Sequence, residues 1–109
     1  MADLNARFLP QFVKLARSRL IQARSAAVER DPTAAGTAAG GMHQLAGEAG
    51  LLGLQDVVPL ARDCELKAKS LLASHAEADA ELLVASLGQL ERVIERIGAT
   101  LPAKPSSPS

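Results

Sequence analysis

Apolar residues along this chain recur at intervals of three and four, and nowhere do β-branched or aromatic residues alternate with polar ones. The first spacing keeps apolar side chains on one side of a helix, whereas the second would mark a half-buried strand. The chain is therefore restricted to helices, and its Pro, Gly, Asp and Ser residues divide it into four. The first runs from about Ala6 or Leu9 to Arg30, with Leu9, Phe12, Ala16, Leu20, Ala23 and Ala27 on one face. Pro10 is acceptable only near its start, because proline lacks an amide hydrogen and crowds the preceding turn. A second begins at Pro32 behind a capping Asp31 and ends near Leu52, with Gly53 as a left-handed terminator.

The third covers about Gln55 to Ala73, with Pro59 in its first turns and Val57, Leu60, Ala61, Cys64, Ala68, Leu71 and Leu72 on its apolar side. The fourth runs from about Glu77 to Ala99. Its core side is Leu82, Leu83, Ala85, Leu87, Leu90, Val93, Ile94 and Ile97. Ser74 and Glu77 have capping-box spacing, and Asp79 is an equally fair cap. Helices of this length with short connections predict an all-α fold, an antiparallel up-down-up-down four-helix bundle over residues 1–101. Residues 102–109 form a Pro- and Ser-rich tail expected to be disordered.

Composition removes whole classes of function. Twelve Lys and Arg balance twelve Asp and Glu, so no basic surface calls for nucleic acid or an anionic membrane. With no Trp, no Tyr and two Phe, nothing offers a stacking platform for bases. No apolar run is long enough to span a membrane, and the N-terminus lacks a signal-peptide pattern. Cys64 is the single cysteine and cannot form an internal disulfide, so the expected setting is a reducing, cytoplasmic one. The expected state is a monomer.

The second helix carries two stripes. Ala38, Met42, Leu45, Ala49 and Leu52 are spaced 4, 3, 4, 3 and form the side to be buried. Gly36, Gly40, His43, Gly47 and Gly50 repeat the same spacing on a stripe centred roughly 160° away. Ala39 and Ala46 are the remaining neighbours of His43, so its surroundings within one turn are all Gly or Ala. Each glycine inside a helix costs about 1 kcal/mol relative to alanine. Exposed glycines do nothing for the core, so the stripe reads as a cleared surface on which another protein's backbone can approach one imidazole. Gly41 lies on neither stripe, and close packing of a neighbouring helix explains it equally well. His75 reads as an inert surface residue.

A single histidine has few chemical options. No Ser or Cys nucleophile sits beside His43, no carboxylate shares its face, and Glu48 is rotated away on the same helix. Metal-ligand spacing is absent. What remains is the imidazole as a nucleophile, able to take a phosphoryl group on nitrogen and pass it on.

Met42-His43-Gln44-Leu45-Ala46-Gly47-Glu48-Ala49-Gly50-Leu51-Leu52-Gly53-Leu54 resembles the signature of histidine-containing phosphotransfer (HPt) domains, roughly His-x-Leu-Lys-Gly, then small residues, then Leu-Gly. His43, Leu45, Gly47, Ala49, Leu52 and Gly53 fit it, and the likeness extends over about residues 8 to 100. The resemblance implies a cytoplasmic phosphorelay protein of a two-component system. In it, His43 takes a phosphoryl group from the Asp of a response-regulator receiver domain, or from a histidine kinase, and passes it to another receiver. It implies no cofactor on this chain, Mg²⁺ on the partner receiver and no autokinase activity. Gly47 then leaves room for the phosphoryl group and the receiver, and Gly40 and Gly50 extend that clearing.

Ala46 departs from the pattern, standing where the family commonly has a Lys that offsets the phosphoryl charge. The base could come from another helix, with Arg62, Lys67 and Lys69 as candidates. The consequence expected from the departure, with His43 intact, is a phosphorylated state that is shorter-lived or slower to form; the alternative is an HPt-like adaptor or inhibitor that binds a receiver or kinase and transfers nothing. A third reading is a helical oligomerisation module with His43 buried. Leu51 is either a docking contact or packs under the turn into the third helix, and Gln44 either bonds the phosphoryl group or partner or is simply solvated.

Overall fold

The computed structural model of the chain describes residues 2–29 and 31–101, with side chains described from residue 8 onward. They form four helices, α1 (Ala2–Glu29), α2 (Pro32–Leu51), α3 (Val57–Ser74) and α4 (Glu77–Ala99), with no strand among the described residues. The tail at 102–109 and the expected helix end at Arg30 lie outside them. No helix among the described residues is long and apolar enough to cross a membrane.

α1 starts earlier than its sequence suggests, and Pro10 lies inside one continuous helix rather than at its head. Pro10 is exposed. Proline deprives one carbonyl of its amide partner, and on a solvent-facing side water can take that amide's place. The start of α2 follows expectation. Asp31 has extended backbone, its carboxylate accepts from the Ala34 N–H at 3.3 Å, and Pro32 opens the helix. Gly53, at φ +75°, ends it by turning the chain into the left-handed region. The link to α4 works differently from either expected cap. Ala76 is the N-cap and makes no side-chain bond, while Ser74 Oγ accepts from the Ala76 N–H at 3.0 Å and donates to Asp79. His75 terminates α3 at φ 56°, and its N–H donates to the Leu71 carbonyl at 2.8 Å.

The main packing is of α1 on α2 and α4 and of α3 on the same pair, with a slighter approach of α1 to α3, and all four helices contribute to one core. The space they enclose is filled by Phe12, Leu20, Met42, Leu45, Leu71, Leu83, Leu87, Leu90 and Ile94, all nearly inaccessible. Two expected core residues of α4 are not in it: Leu82 is 50% exposed, and Ala85 is also at the surface. Ser86 is buried instead, with its hydroxyl donating to Asp63 of α3 at 2.6 Å. Asp63 also accepts from Lys67 at 2.7 Å, and these two bonds hold its carboxyl below the usual carboxylate range.

The α2–α3 contact positions the site. Gly36 lies against Leu72, His43 meets Glu65, and Gly50 lies against Val58. On the other flank, Arg19 of α1 reaches Glu48 at 2.6 Å and Gln44 at 3.2 Å.

Candidate functional site

His43 stands in the middle of α2 with its side chain 75% exposed. Its backbone is fixed by a rigid helix whose inner side, Met42, Leu45 and Ala49, is fully buried. The mount is firm and the ring faces solvent.

The clearing around the ring is real, though it is shaped differently from the expected one. A Cβ built on Gly40 or Gly47 meets nothing within 4 Å. At Gly36 and Gly50 it would only touch Leu72 and Val58 side chains, at 4.0 Å. None of these glycines is required for helices to approach one another. Gly41 lies against the aliphatic stem of Arg19, with 3.7 Å from a built Cβ to Cγ, an ordinary contact rather than a close backbone approach. Ala39 and Ala46 do not belong to the surface at all: they are 5% and 4% exposed and extend the core stripe. α2 is flanked by α1 and α3, so its buried arc is wider than one row of residues. Position 46 consequently points inward and offers a partner no surface.

Gln44 is exposed and its Oε1 accepts from Arg19. Leu51 is 86% exposed, so it does not pack under the turn. Together with Phe8, Leu15, Phe12 and Leu52 it lines an open, largely apolar groove of about 420 Å³ between α1 and the end of α2.

The residue that sequence reasoning missed is Glu65. It comes across from α3 and places its carboxylate oxygens 3.2 and 3.4 Å from His43 Nδ1. Lys69, one turn further along α3, is 3.1 Å from the same Glu65 Oε2. The Lys69 hydrogen bond is the main reason the Glu65 carboxyl is held below its ordinary value, and the charges of Lys69 and His43 add to it. An ionised carboxylate can only accept, so Nδ1 must carry the hydrogen. In the neutral ring the lone pair is then on Nε2, the nitrogen directed away from Glu65.

Of the other cations considered, Lys67 is engaged by Asp63. Arg62 is exposed and has no ion pair among the described residues. Cys64 is fully buried, and burial, reinforced by the Asp63 charge, pushes its thiol up to about 12, so it supplies no nucleophile or ligand. His75 is exposed at the far end of α3. Among the described residues no group of three or more His, Cys, Asp or Glu is placed to hold a metal ion.

No protein-family model matches the chain, and no curated protein or solved structure matches it either.

Proposed function

We propose that this chain is a histidine phosphotransfer protein, with His43 Nε2 as the acceptor and receiver domains as its partners. One observation carries the reading: an exposed imidazole has its Nδ1 fixed by Glu65, which leaves a nucleophilic Nε2 on a surface that Gly40 and Gly47 keep open. The resemblance around His43-Gln44-Leu45-Ala46-Gly47 agrees with it. The fold proposed with it is the antiparallel up-down-up-down bundle. The order of cross-helix contacts supports that topology for two of the pairs: Arg17 meets Glu95 and Arg24 meets Glu91, and Gly36 lies beside Leu72 and Gly50 beside Val58.

The chemistry balances simply. The Nε2 lone pair attacks the phosphorus of a receiver's aspartyl phosphate. The N–P bond forms as the P–O bond to the aspartyl carboxylate breaks, and the bond's electrons leave with that carboxylate. Nδ1 keeps its hydrogen, the ring becomes cationic, and Glu65 stabilises that charge at hydrogen-bond distance. Donation to a second receiver is the reverse. The receiver brings the Mg²⁺ expected for the reaction, and this chain contributes the nucleophile, its orientation and the open face. No nucleotide-binding loop is present to supply a kinase activity.

The competing adaptor reading draws on one fact, that α2 contains no Lys or Arg. The deciding experiment incubates the chain with a phosphorylated receiver and Mg²⁺ beside a His43→Gln control. Acid-labile, base-stable label on the wild type alone establishes the carrier. Absence of label with several receivers, with binding that survives His43→Gln, establishes the adaptor.

A further inference from the structure

We propose that the outer face of α4 is a self-association surface, on which a second copy of this chain docks with its own α4 running antiparallel, leaving both His43 rings open. The inference does not depend on the phosphotransfer reading, and it replaces the monomer expected from the sequence.

Ala78, Leu82, Ala85, Gln89, Arg92 and Arg96 are spaced 4, 3, 4, 3, 4, and all six are exposed. They form one row on the side of α4 turned away from Leu83, Leu87, Leu90 and Ile94, which fill the core. Leu82 and Ala85 are the two residues whose pattern called for burial, and within one copy they lie bare. Charge is divided along the same helix. Glu77 and Glu81 stand towards its start and Arg92 and Arg96 towards its end, and none of the four has an ion pair among the described residues. The carboxylates nearest the two arginines are already engaged, Glu91 by Arg24 and Glu95 by Arg17 of α1. The helix dipole accounts for Glu77 and Arg96, in the first and last turns, but not for Glu81 and Arg92 further in.

This face is its own complement. Glu81 and Arg92 are about 20° apart around the helix axis and about 16 Å apart along it, too far to meet within one copy. An antiparallel pair brings the same flank of each helix together. A two-fold axis beside Ala85 and Gly88 sets Glu81 against Arg92 of the second copy and Glu77 against Arg96 of the second copy, and symmetry repeats both pairs. Ala85 is small, and a Cβ added to Gly88 meets nothing within 4 Å, so a second helix can come close there. A parallel pair would instead set like charges side by side. On the other flank, the same operation carries Leu82 to an open groove of about 800 Å³ between α3 and α4, where Leu60, Gln89, Arg92 and Val93 lie. Twelve cations against twelve anions leave no net repulsion between copies. Residues 102–109 carry a lysine and no carboxylate, so they do not complement the two arginines. The residues around His43 come from α2 and α3, so pairing through α4 leaves the ring and its glycines uncovered.

The test is sedimentation equilibrium of the full chain over a concentration series. A single helix seam buries less than the roughly 1,200 Å² of the smallest stable interfaces, so the dissociation constant should be on the order of 100 µM. Glu81→Arg and Arg92→Glu should each weaken association about tenfold or more, since each turns two attractions into two repulsions. Both positions are exposed, so melting of the fold should stay the same. An equimolar mixture of the two variants should regain the association, because each supplies the charges the other needs. The chain carrying both changes should regain it too. Leu82→Ser should weaken it about as much as either reversal, by removing the side chain that fills the groove. A chain that stays monomeric up to about 1 mM overturns the proposal and leaves this face to a different protein. It is equally overturned by association that both charge reversals leave intact, or by a mixture that associates no more tightly than its components. Association lost in Leu51→Glu but kept in Leu82→Ser would place the interface on the groove between α1 and α2 instead.

Discussion

The two long sides of α2 carry the same 4, 3, 4, 3 spacing and opposite contents. Met42, Leu45 and Ala49 are wholly enclosed, while Gly40, His43, Gly47 and Gly50 are exposed, two of the glycines with nothing within reach of an added Cβ. On the first side every methyl group has neighbours, so its removal leaves a void. On the second, side chains are missing where there is room for them. A helix that gives up propensity where packing asks for nothing is spending stability on access.

The comparison can be broken from either side. Leu45→Ala should cost about 2–5 kcal/mol of unfolding free energy, read from urea denaturation, because a fully buried Leu leaves a cavity. Gly47→Arg, on the other side, should leave the helical signal and melting largely unchanged but reduce phosphotransfer on the order of 100-fold or more, by displacing the partner from His43. Normal transfer in that variant would refute the account of the glycine face. Gly40→Ala and Gly47→Ala should each stabilise the fold by about 1 kcal/mol, since neither methyl group meets an obstacle. A destabilised alanine variant would mean that these glycines serve the fold after all.

The smallest effect concerns Glu65. Its carboxyl is held below the ordinary value of 4.5, chiefly by Lys69, so the folded state favours its ionised form. That contribution is complete above the unfolded-state value and is lost as pH falls through the lower folded-state value. The stability advantage of wild type over Glu65→Gln should therefore shrink as pH drops from about 5 towards 3. At neutral pH Glu65→Gln keeps an acceptor for Nδ1 but no charge for the cationic ring, and transfer should slow roughly fivefold, as for replacing a charge-assisted bond by a neutral one.

Much of the fold could be read directly. Pro32 behind Asp31, Gly53 after Leu52 and the fourth helix from Glu77 to Ala99 lie where the sequence puts them, because caps and breakers act locally. Pro10 misled because its cost depends on whether it faces solvent, which periodicity does not report. Ala39 and Ala46 were misplaced for a related reason: alanine fits either surface or core, and only the flanking helices decide. Half of the site was legible. His43 and its glycines share one helix and one stripe, whereas Glu65 and Lys69 arrive from 22 and 26 positions further along the chain through the pairing of α2 with α3. The Glu65–Lys69 spacing of four marks an ordinary helical ion pair, and nothing local says that a ring from elsewhere will join it.

Cys64 turns that same pairing into something that can be timed. The thiol precedes Glu65 directly, is fully enclosed, and is held in its unreactive protonated form up to about 12. A disulfide reagent can reach it only in the moments when α3 lifts from its neighbours. Its reaction rate is therefore a clock for opening beneath the site, built in without a dye or a mutation. Anything that clamps α3 against α2, such as a docked partner, should make that clock run slow.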